Sequence, residues 1–539
     1  MNLSGLTGLL IDDNNDMRAA LRAQLSAAGL ERCDTARNVK EAVDRVSRQR
    51  YDLIVCDYNL GQGADGQQFL ELVRRKQLLP LSCAFLMVTG ENGYEQVATS
   101  AEYAPDDYLL KPFTADTLAT RLTRILDKKA ALQPIYRWLG KKPDHTKAIA
   151  ACDELLAAGG RYSLDALRLK GELLLAAHRA EEARALYASV LAQRATPWAS
   201  VGEARALIAL GEEAAARERL ERAIEAYPNY LAAYDALAQI LLKADKAAAQ
   251  AVMEQALKVA PSTQRTREVG TLAFEMGDYA RAEAAYQRVV DKDRTGFFKS
   301  HDDYALLAKS RLEQGKTAEA LAAVKDMGAA FARSPELEAR QAALECQAHA
   351  KAGNGAAAQA ALERALVIQA ASSLDPHAAL EVAQACFAGG KPEDAKEIIR
   401  HVAENHHEDD AMLARAQAVF ARAGLHDEGT LFLEATKKRM IKLNNDAVAL
   451  AKSGQLDEAI AMLTEAADRL TNNAQIALNA ALALLMHVQR AGGDEMALAR
   501  ARGYIAQAKA ANPEHPRLIE LTNLYRKLAP PDAPPLEEA

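Results

Sequence analysis

Aromatic side chains are scarce in this chain of 539 residues: Phe, Trp and Tyr together make up 5 % of it, although half of the residues are apolar. Without rings to fill gaps, small and aliphatic side chains must build the cores, and the abundance of alanine points to closely packed helices. A basic excess is also lacking. The 66 Lys and Arg stand against 73 Asp and Glu, and the net charge of −7 excludes a chain that binds nucleic acid as a whole. No apolar run approaches the roughly 20 residues that a bilayer-spanning helix needs. The longest, around Ala480 to Met486, is far too short. Met1 to Leu10 carries neither a basic leader nor a long apolar core, so no secretory signal is expected and the chain is assigned to the cytoplasm. Cysteine occurs only at positions 33, 56, 83, 152, 346 and 386, with no Cys-x-x-Cys and no histidines at zinc-site spacing. Small buried or half-buried thiols in a reducing compartment are expected. A P-loop, a Gly-x-Ser-x-Gly, a His-Glu-x-x-His and a basic recognition helix are missing too, so neither a separate catalytic domain nor direct transcription control is expected.

What is present begins with Leu53-Ile54-Val55-Cys56-Asp57, a short apolar run ending in a carboxylate. Three other pieces share its form: Asp12-Asp13 after Leu9-Leu10-Ile11, Val88-Thr89-Gly90 after Ala84-Phe85-Leu86-Met87, and Lys111-Pro112-Phe113 after Tyr108-Leu109-Leu110. Apolar β-like runs separated by amphipathic segments imply a parallel sheet with helices on both faces. In an open α/β sheet the strand ends converge on one crevice, so the four signals become one site. Between the runs, Met17, Leu21 and Leu25 recur at helical spacing ahead of Gly29, and Val39 to Val46 repeats the pattern.

The ordered set of acidic pair, Asp, Thr and Lys-Pro resembles the receiver domains of bacterial response regulators, over roughly the first quarter of the chain. The resemblance implies a doubly wound α/β fold with a five-stranded parallel sheet, in which Asp57 takes a phosphoryl group from a phosphohistidine of a sensor histidine kinase or phosphotransfer protein. A phosphoryl group arriving at a carboxylate brings charge beside charge, which calls for a hard divalent cation, and Mg²⁺ prefers carboxylate oxygen and water. In the family pattern Asp13 and Asp57 ligate the metal directly, Asp12 holds a water ligand and the Asn59 backbone carbonyl completes the protein share. Lys111 is a point charge suited to one phosphate oxygen and the Thr89 hydroxyl a neutral donor to another, while Gly90 keeps the approach open and Pro112 is structural. Tyr108 stands where receivers carry an aromatic that turns inward as Thr89 moves, and the change spreads to the face of the fourth helix, fifth strand and fifth helix. The domain would also lose its own phosphoryl group by autodephosphorylation. The loop Tyr58 to Gly66 departs from the family: two glycines replace a common Met-Pro, which implies a more mobile loop.

A helix is predicted from Thr114 to Ala131, interrupted by Gln133-Pro134, with Tyr136, Trp138 and Leu139 packing in a helical connector. The expected domains are a receiver over 1–128, the connector over 129–145, an all-α solenoid over 146–525 and a disordered Pro-rich tail over 526–539 that holds Pro530-Pro531-Asp532-Ala533-Pro534-Pro535. The solenoid follows from a repeat. Ala183, Ala216, Ala249 and Ala282 stand 33 residues apart, and four residues beyond each comes a larger apolar one: Tyr187, Leu220, Met253 and Tyr286. A small residue that lets two helices approach, a bulky one that fills the gap, and Pro197, Pro228 or Pro261 after the second helix describe a repeated helix pair, with Gly277-Asp278-Tyr279 as an intervening turn.

This pattern resembles the tetratricopeptide repeat family, which implies a superhelical solenoid. Later copies centre on Gly315 with Ala320, Gly353 with Ala358, Gly390 with Ala395, Gly424 with Gly429 and Gly454 with Ala459, and Tyr234 and Tyr304 fit the family's first-helix aromatics. Gly296-Phe297-Phe298 sits in a longer connection, as a core cap or an exposed contact. His406-His407 with Glu408-Asp409-Asp410 reads as a solvated loop rather than a metal site, and Lys437-Lys438-Arg439 with Lys442 as an exposed helix face. The solenoid offers an extended surface for an unidentified protein partner. The expected function is a response regulator in which phosphorylation of Asp57 changes the partner held by the repeats, or pairs two chains as a homodimer. Alternatives are a phosphate sink competing for a kinase shared with another regulator, and a scaffold indifferent to phosphorylation.

Overall fold

The computed structural model describes residues 3–61, 64–90, 104–140, 143–293, 299–513 and 515–530. The expected fourth receiver helix in 91–103, the Gly296-Phe297-Phe298 segment and the tail from 531 lie outside the described residues. The chain forms two compact units, Met1–Ser310 and Arg311–Ala539.

In the first unit, strands β1 (Thr7–Ile11), β2 (Arg32–Ala36), β3 (Leu53–Asp57), β4 (Ala84–Thr89) and β5 (Asp107–Leu110) form one parallel sheet in the order β2-β1-β3-β4-β5. Every residue of β3 and β4 is buried, as central strands covered on both faces must be. Alternation along β4 divides the packing: Phe85 and Met87 join Phe69 and Tyr108 on one face, Leu86 and Val88 join Leu118 and Leu122 on the other. The first helix, Asn15–Ala27, is capped by the Asn14 side chain, which accepts from the Asp16 and Met17 amides, and Gly29 follows with φ +96°.

The last receiver helix corrects the sequence expectation. It runs from Ala115 to Tyr136 with Pro134 inside it, instead of breaking at Gln133-Pro134. Proline removes one backbone donor, but burial of Leu132 and Ile135 at 2 % and 0 % exposure holds the final turn helical. The two halves of this helix serve different cores. Leu118, Leu122 and Ile125 pack with the sheet, whereas Leu132 and Ile135 pack with Ala148, Ile149, Cys152 and Leu173 of the first repeat helices. Tyr136, Trp138 and Leu139 pack against that second core, as their apolar character implied.

Beyond Asp144 the chain is all helical among the described residues, an all-α solenoid of paired helices. Ala183, Ala216, Ala249 and Ala282 are each 0 % exposed, so the 33-residue register marks the helix crossings. The space filled by Tyr187 is provided by glycines of neighbouring helices: a Cβ on Gly171 or Gly202 would lie 2.5 or 2.4 Å from its ring. The turn before the second helix of a pair repeatedly uses a left-handed glycine, as at Gly211 and Gly277 with φ +81°.

In the second unit Ala320, Ala358, Ala395, Gly429 and Ala459 are buried, as their register requires. The copies centred on Gly424 and Gly454 share a single 27-residue helix, His426–Lys452. His407 overturns an expectation: it is buried rather than solvated, with its Nδ1 3.1 Å from the Asn473 amide nitrogen. Arg439 pairs with buried Glu404 and Lys437 with Asp410, so the basic stretch is partly engaged.

Candidate functional site

Parallel pairing brings the four strand-end signals together. Ile11 is paired with Cys56 and Asp57 with Val88, which sets Asp12 beside Asp57 and Thr89 one residue beyond it. Asp12 is buried at 1 % exposure, Asp57 at 8 % and Thr89 at 5 %, while Asp13 is exposed. Carboxylate oxygens of Asp12, Asp13 and Asp57 all lie within 4.8 Å of one another. The backbone of the acidic pair is fixed locally: the Asn14 amide donates to Asp12 Oδ1 at 2.8 Å, and the buried Arg18 guanidinium donates to the Asp12 carbonyl and to Asn15 Oδ1.

Lys111 closes the site from β5. Its Nζ stands 2.7 Å from Asp57 Oδ2 and 3.3 Å from Asp12 Oδ2, and its amide donates to the Thr89 carbonyl at 2.8 Å, tying the ends of β4 and β5. The Lys111-Pro112 peptide is cis, with Pro112 exposed. Burial raises the pKa of Asp57; Lys111 and the Asn59 amide oppose this, and Asp12 adds to it. Burial alone would lower the pKa of Lys111, yet Asp57 and Asp12 together move it upward. Two carboxylates within 3.3 Å outweigh the burial of the one ammonium.

The remaining expected residues fall as follows. Asn59 is exposed, its amide donates to the Asp57 carboxylate and its Oδ1 accepts from the Gly61 amide at 3.2 Å. Gly90 is exposed, with nothing within 4 Å of a Cβ placed on it. Tyr108 is buried at 7 % exposure in the Phe85 cluster. The loop after Asp57 turns at Gly61, φ +75°, and enters the helix Gly66–Arg75 through a capping box in which Asp65 and Gln68 bond each other's backbone. Burial raises the Asp65 pKa, opposed in part by the Gln68 amide.

Two contributors were not singled out in the sequence. Gly66 approaches β3 so closely that a Cβ would stand 2.2 Å from the Asp57 carbonyl oxygen. Arg18, as above, anchors the Asp12 backbone. The Asp65-x-x-Gln68 spacing was a legible cap signal; nothing local marked Arg18.

Residues 9–123 match the family model described as the response regulator receiver domain. The N-terminal part of this chain, residues 9–123, is thus a response regulator receiver domain. Among similar proteins, chemotaxis protein CheY-3 of Vibrio cholerae is 29 % identical over 120 residues, covering 22 % of this chain and 91 % of its own. Transcriptional regulatory protein AfsQ1 of Streptomyces coelicolor is 33 % identical over 118 residues, 22 % of this chain and 50 % of its own. Among solved structures, chemotaxis response regulator CheY4 of Vibrio cholerae is 28 % identical over 22 % of this chain and 98 % of its own, with a TM-score of 0.21. A tetratricopeptide repeat protein from Parabacteroides merdae is 15 % identical over 45 % of this chain and 93 % of its own, with a TM-score of 0.28. The receiver's acidic pocket offers only oxygen ligands, a donor set that fits Mg²⁺. No described helix is long and apolar enough to cross a membrane.

Proposed function

We propose that this chain is a cytoplasmic response regulator in which the receiver, 1–128, acts through the connector, 129–145, on a protein-binding solenoid, 146–525. The observation that carries the proposal is the convergence of Asp12, Asp13, Asp57, Thr89 and Lys111 at the carboxyl ends of β1, β3, β4 and β5. Asp57 is the nucleophile: a carboxylate oxygen bonds to phosphorus as the bond from phosphorus to the donor's histidine nitrogen breaks. Asp13 and Asp57, with the Asn59 carbonyl, would hold Mg²⁺ directly and Asp12 through water. The bound metal supplies neutralisation of charge on the transferring group. Lys111, already placed at Asp57 Oδ2, moves to a phosphoryl oxygen, and Thr89 donates to another. The partner exchange, or pairing of two chains, follows from the altered face around Tyr108.

Incubation of the full chain with acetyl phosphate and Mg²⁺ tests the site, read by intact mass. One added phosphoryl group is expected, lost in Asp57→Asn. Labelling that persists in that variant overturns the assignment, and labelling that survives removal of both Asp12 and Asp13 overturns the metal ligands. Pull-downs with and without phosphorylatable Asp57 separate the adaptor from a sink, which holds mainly the kinase, and from an indifferent scaffold.

A further inference from the structure

Resting on that reading, we propose that Lys129 is the lock through which the receiver moves the repeats: it fastens the shared helix Ala115–Tyr136 to the start of β5, so that a shift of β5 is delivered to the first repeat core. Lys129 is only 8 % exposed. Its Nζ stands 2.8 Å from Asp106 Oδ1 and donates to the Leu81 carbonyl at 2.8 Å. The other carboxylate oxygen of Asp106 accepts from the Phe85 amide at 2.8 Å, so the same side chain grips β4. The neighbouring Asp107, first residue of β5, pairs with Arg121 at 3.2 Å and Arg124 at 2.5 Å on the same helix. Three cations of one helix are thus bolted to two consecutive carboxylates at the entry of one strand.

The placement of the lock is what gives it consequence. Lys111, which faces Asp57, leaves the far end of the four-residue strand, about 13 Å from Asp107 at strand rise. Tyr108 lies between them. On the helix, Lys129 falls between Ile125, in the receiver core, and Leu132, in the repeat core, a separation of about 10 Å along the axis. Lys128, one residue earlier, pairs with Asp165 of the repeat helix Ser163–Ala176, and Tyr136 presents its ring to Lys129 with the ammonium 5.7 Å from its centroid. Burial lowers the pKa of Lys129 and Asp106 opposes it, as a paired interior ammonium requires. A helix bonded to β5 on one side and buried in the repeats on the other would turn a shift of that strand into the differential contacts that a transmitted equilibrium needs.

The test is hydrogen exchange on the full chain with and without beryllofluoride and Mg²⁺, a stable mimic of the aspartyl phosphate, in wild type, Lys129→Met, Asp106→Asn and Lys129→Arg. In wild type the mimic is expected to change amide protection of both β4–β5 and the repeat helices 145–158 and 163–176, the latter by about 5- to 150-fold. In Lys129→Met the receiver still responds and the repeat response is lost; Asp106→Asn gives the same result should Lys129→Met fail to fold, and Lys129→Arg restores part of it. Full transmission in Lys129→Met or Asp106→Asn overturns the lock alone. A wild type whose receiver responds while its repeats stay silent overturns both the lock and the adaptor reading beneath it.

Discussion

Replacing Gly66 by alanine adds a single methyl group at the point where the helix Gly66–Arg75 meets the end of β3. That methyl carbon would stand 2.2 Å from the Asp57 carbonyl oxygen, 3.1 Å from its carbonyl carbon and 3.0 Å from Cys56 Sγ. Two of these atoms are backbone and cannot swing aside, so helix and strand must part by about 1 Å to restore ordinary contact. Overpacking of this kind costs about 1–3 kcal/mol. The same movement stretches the bond from the Gly66 amide to the Tyr58 carbonyl, now 2.8 Å, which adds about 1 kcal/mol. The expected loss is therefore about 2–4 kcal/mol. Because Asp57 itself is displaced, labelling by acetyl phosphate should slow by about 100-fold, the scale on which a 1 Å misplacement acts. Gly503 supplies the control: it lies exposed in the helix Glu495–Ala511 with open space around a built Cβ, so Gly503→Ala should stabilise by about 0.5–1 kcal/mol. Urea unfolding and intact-mass labelling read both effects. If Gly66→Ala is as stable as wild type and labels at the same rate, the close approach at Asp57 is not a constraint on this site.

Arg267 donates to Asp293 at 2.6 Å and to Asp303 at 2.9 Å, both carboxylates being about one-twentieth exposed, so Arg267→Met should cost about 3–5 kcal/mol in thermal unfolding. Adding Asp293→Asn and Asp303→Asn should recover much of that loss, and no recovery would exclude buried charge as the cause. A methyl at Gly202 would enter the ring of Tyr187 at 2.4 Å; Gly202→Ala should cost about 1–3 kcal/mol in wild type and less in Tyr187→Leu, and additive effects in that cycle would disprove the wedge. Burial holds the pKa of His407 below its ordinary value. The unfolded chain therefore takes the proton first as pH falls below about 6.5, and stability drops from pH 7 to pH 5. His407→Asn should flatten that slope by up to about 1.4 kcal/mol per pH unit, whereas an unchanged slope in thermal unfolding would remove His407 from the account.

The sheet and its site were legible because each strand carries its evidence in one short stretch. Leu53 to Asp57 and Ala84 to Thr89 are continuous apolar runs, and a parallel central strand needs that character on both faces. The repeat register was legible for a similar reason: alanines at the helix crossings recur at a fixed interval, and all four in the first unit are fully buried. What hid the merged helix His426–Lys452 is that helix boundaries depend on breakers. Gly424 and Gly454 announce the turns on either side, but nothing between them marks where one pair passes into the next. The Pro134 error has the opposite cause. A breaker was present, and the burial of Leu132 and Ile135, a tertiary fact, outweighed it.

At the candidate site, the residues that the strand ends bring together were readable and those that hold them in place mostly were not. Asp57 and Thr89 end their strands and Asp12 and Lys111 directly follow theirs, whereas Gly66 and Arg18 act through an approach between elements that sequence spacing does not record. Lys129 is the instructive intermediate. Beside Lys128 it looks like one of two solvated cations, but Leu118, Leu122, Ile125, Lys129, Leu132 and Ile135 continue one stripe at steps of three and four. A lysine on that stripe is buried by the same geometry that buries the leucines, and a buried ammonium requires a carboxylate. The acids that meet this helix stand at the entry to β5, where Asp106 and Asp107 are consecutive. The periodicity therefore already contained the demand for an ion pair at the domain junction, and the fold supplies its partner at the strand whose other end carries Lys111.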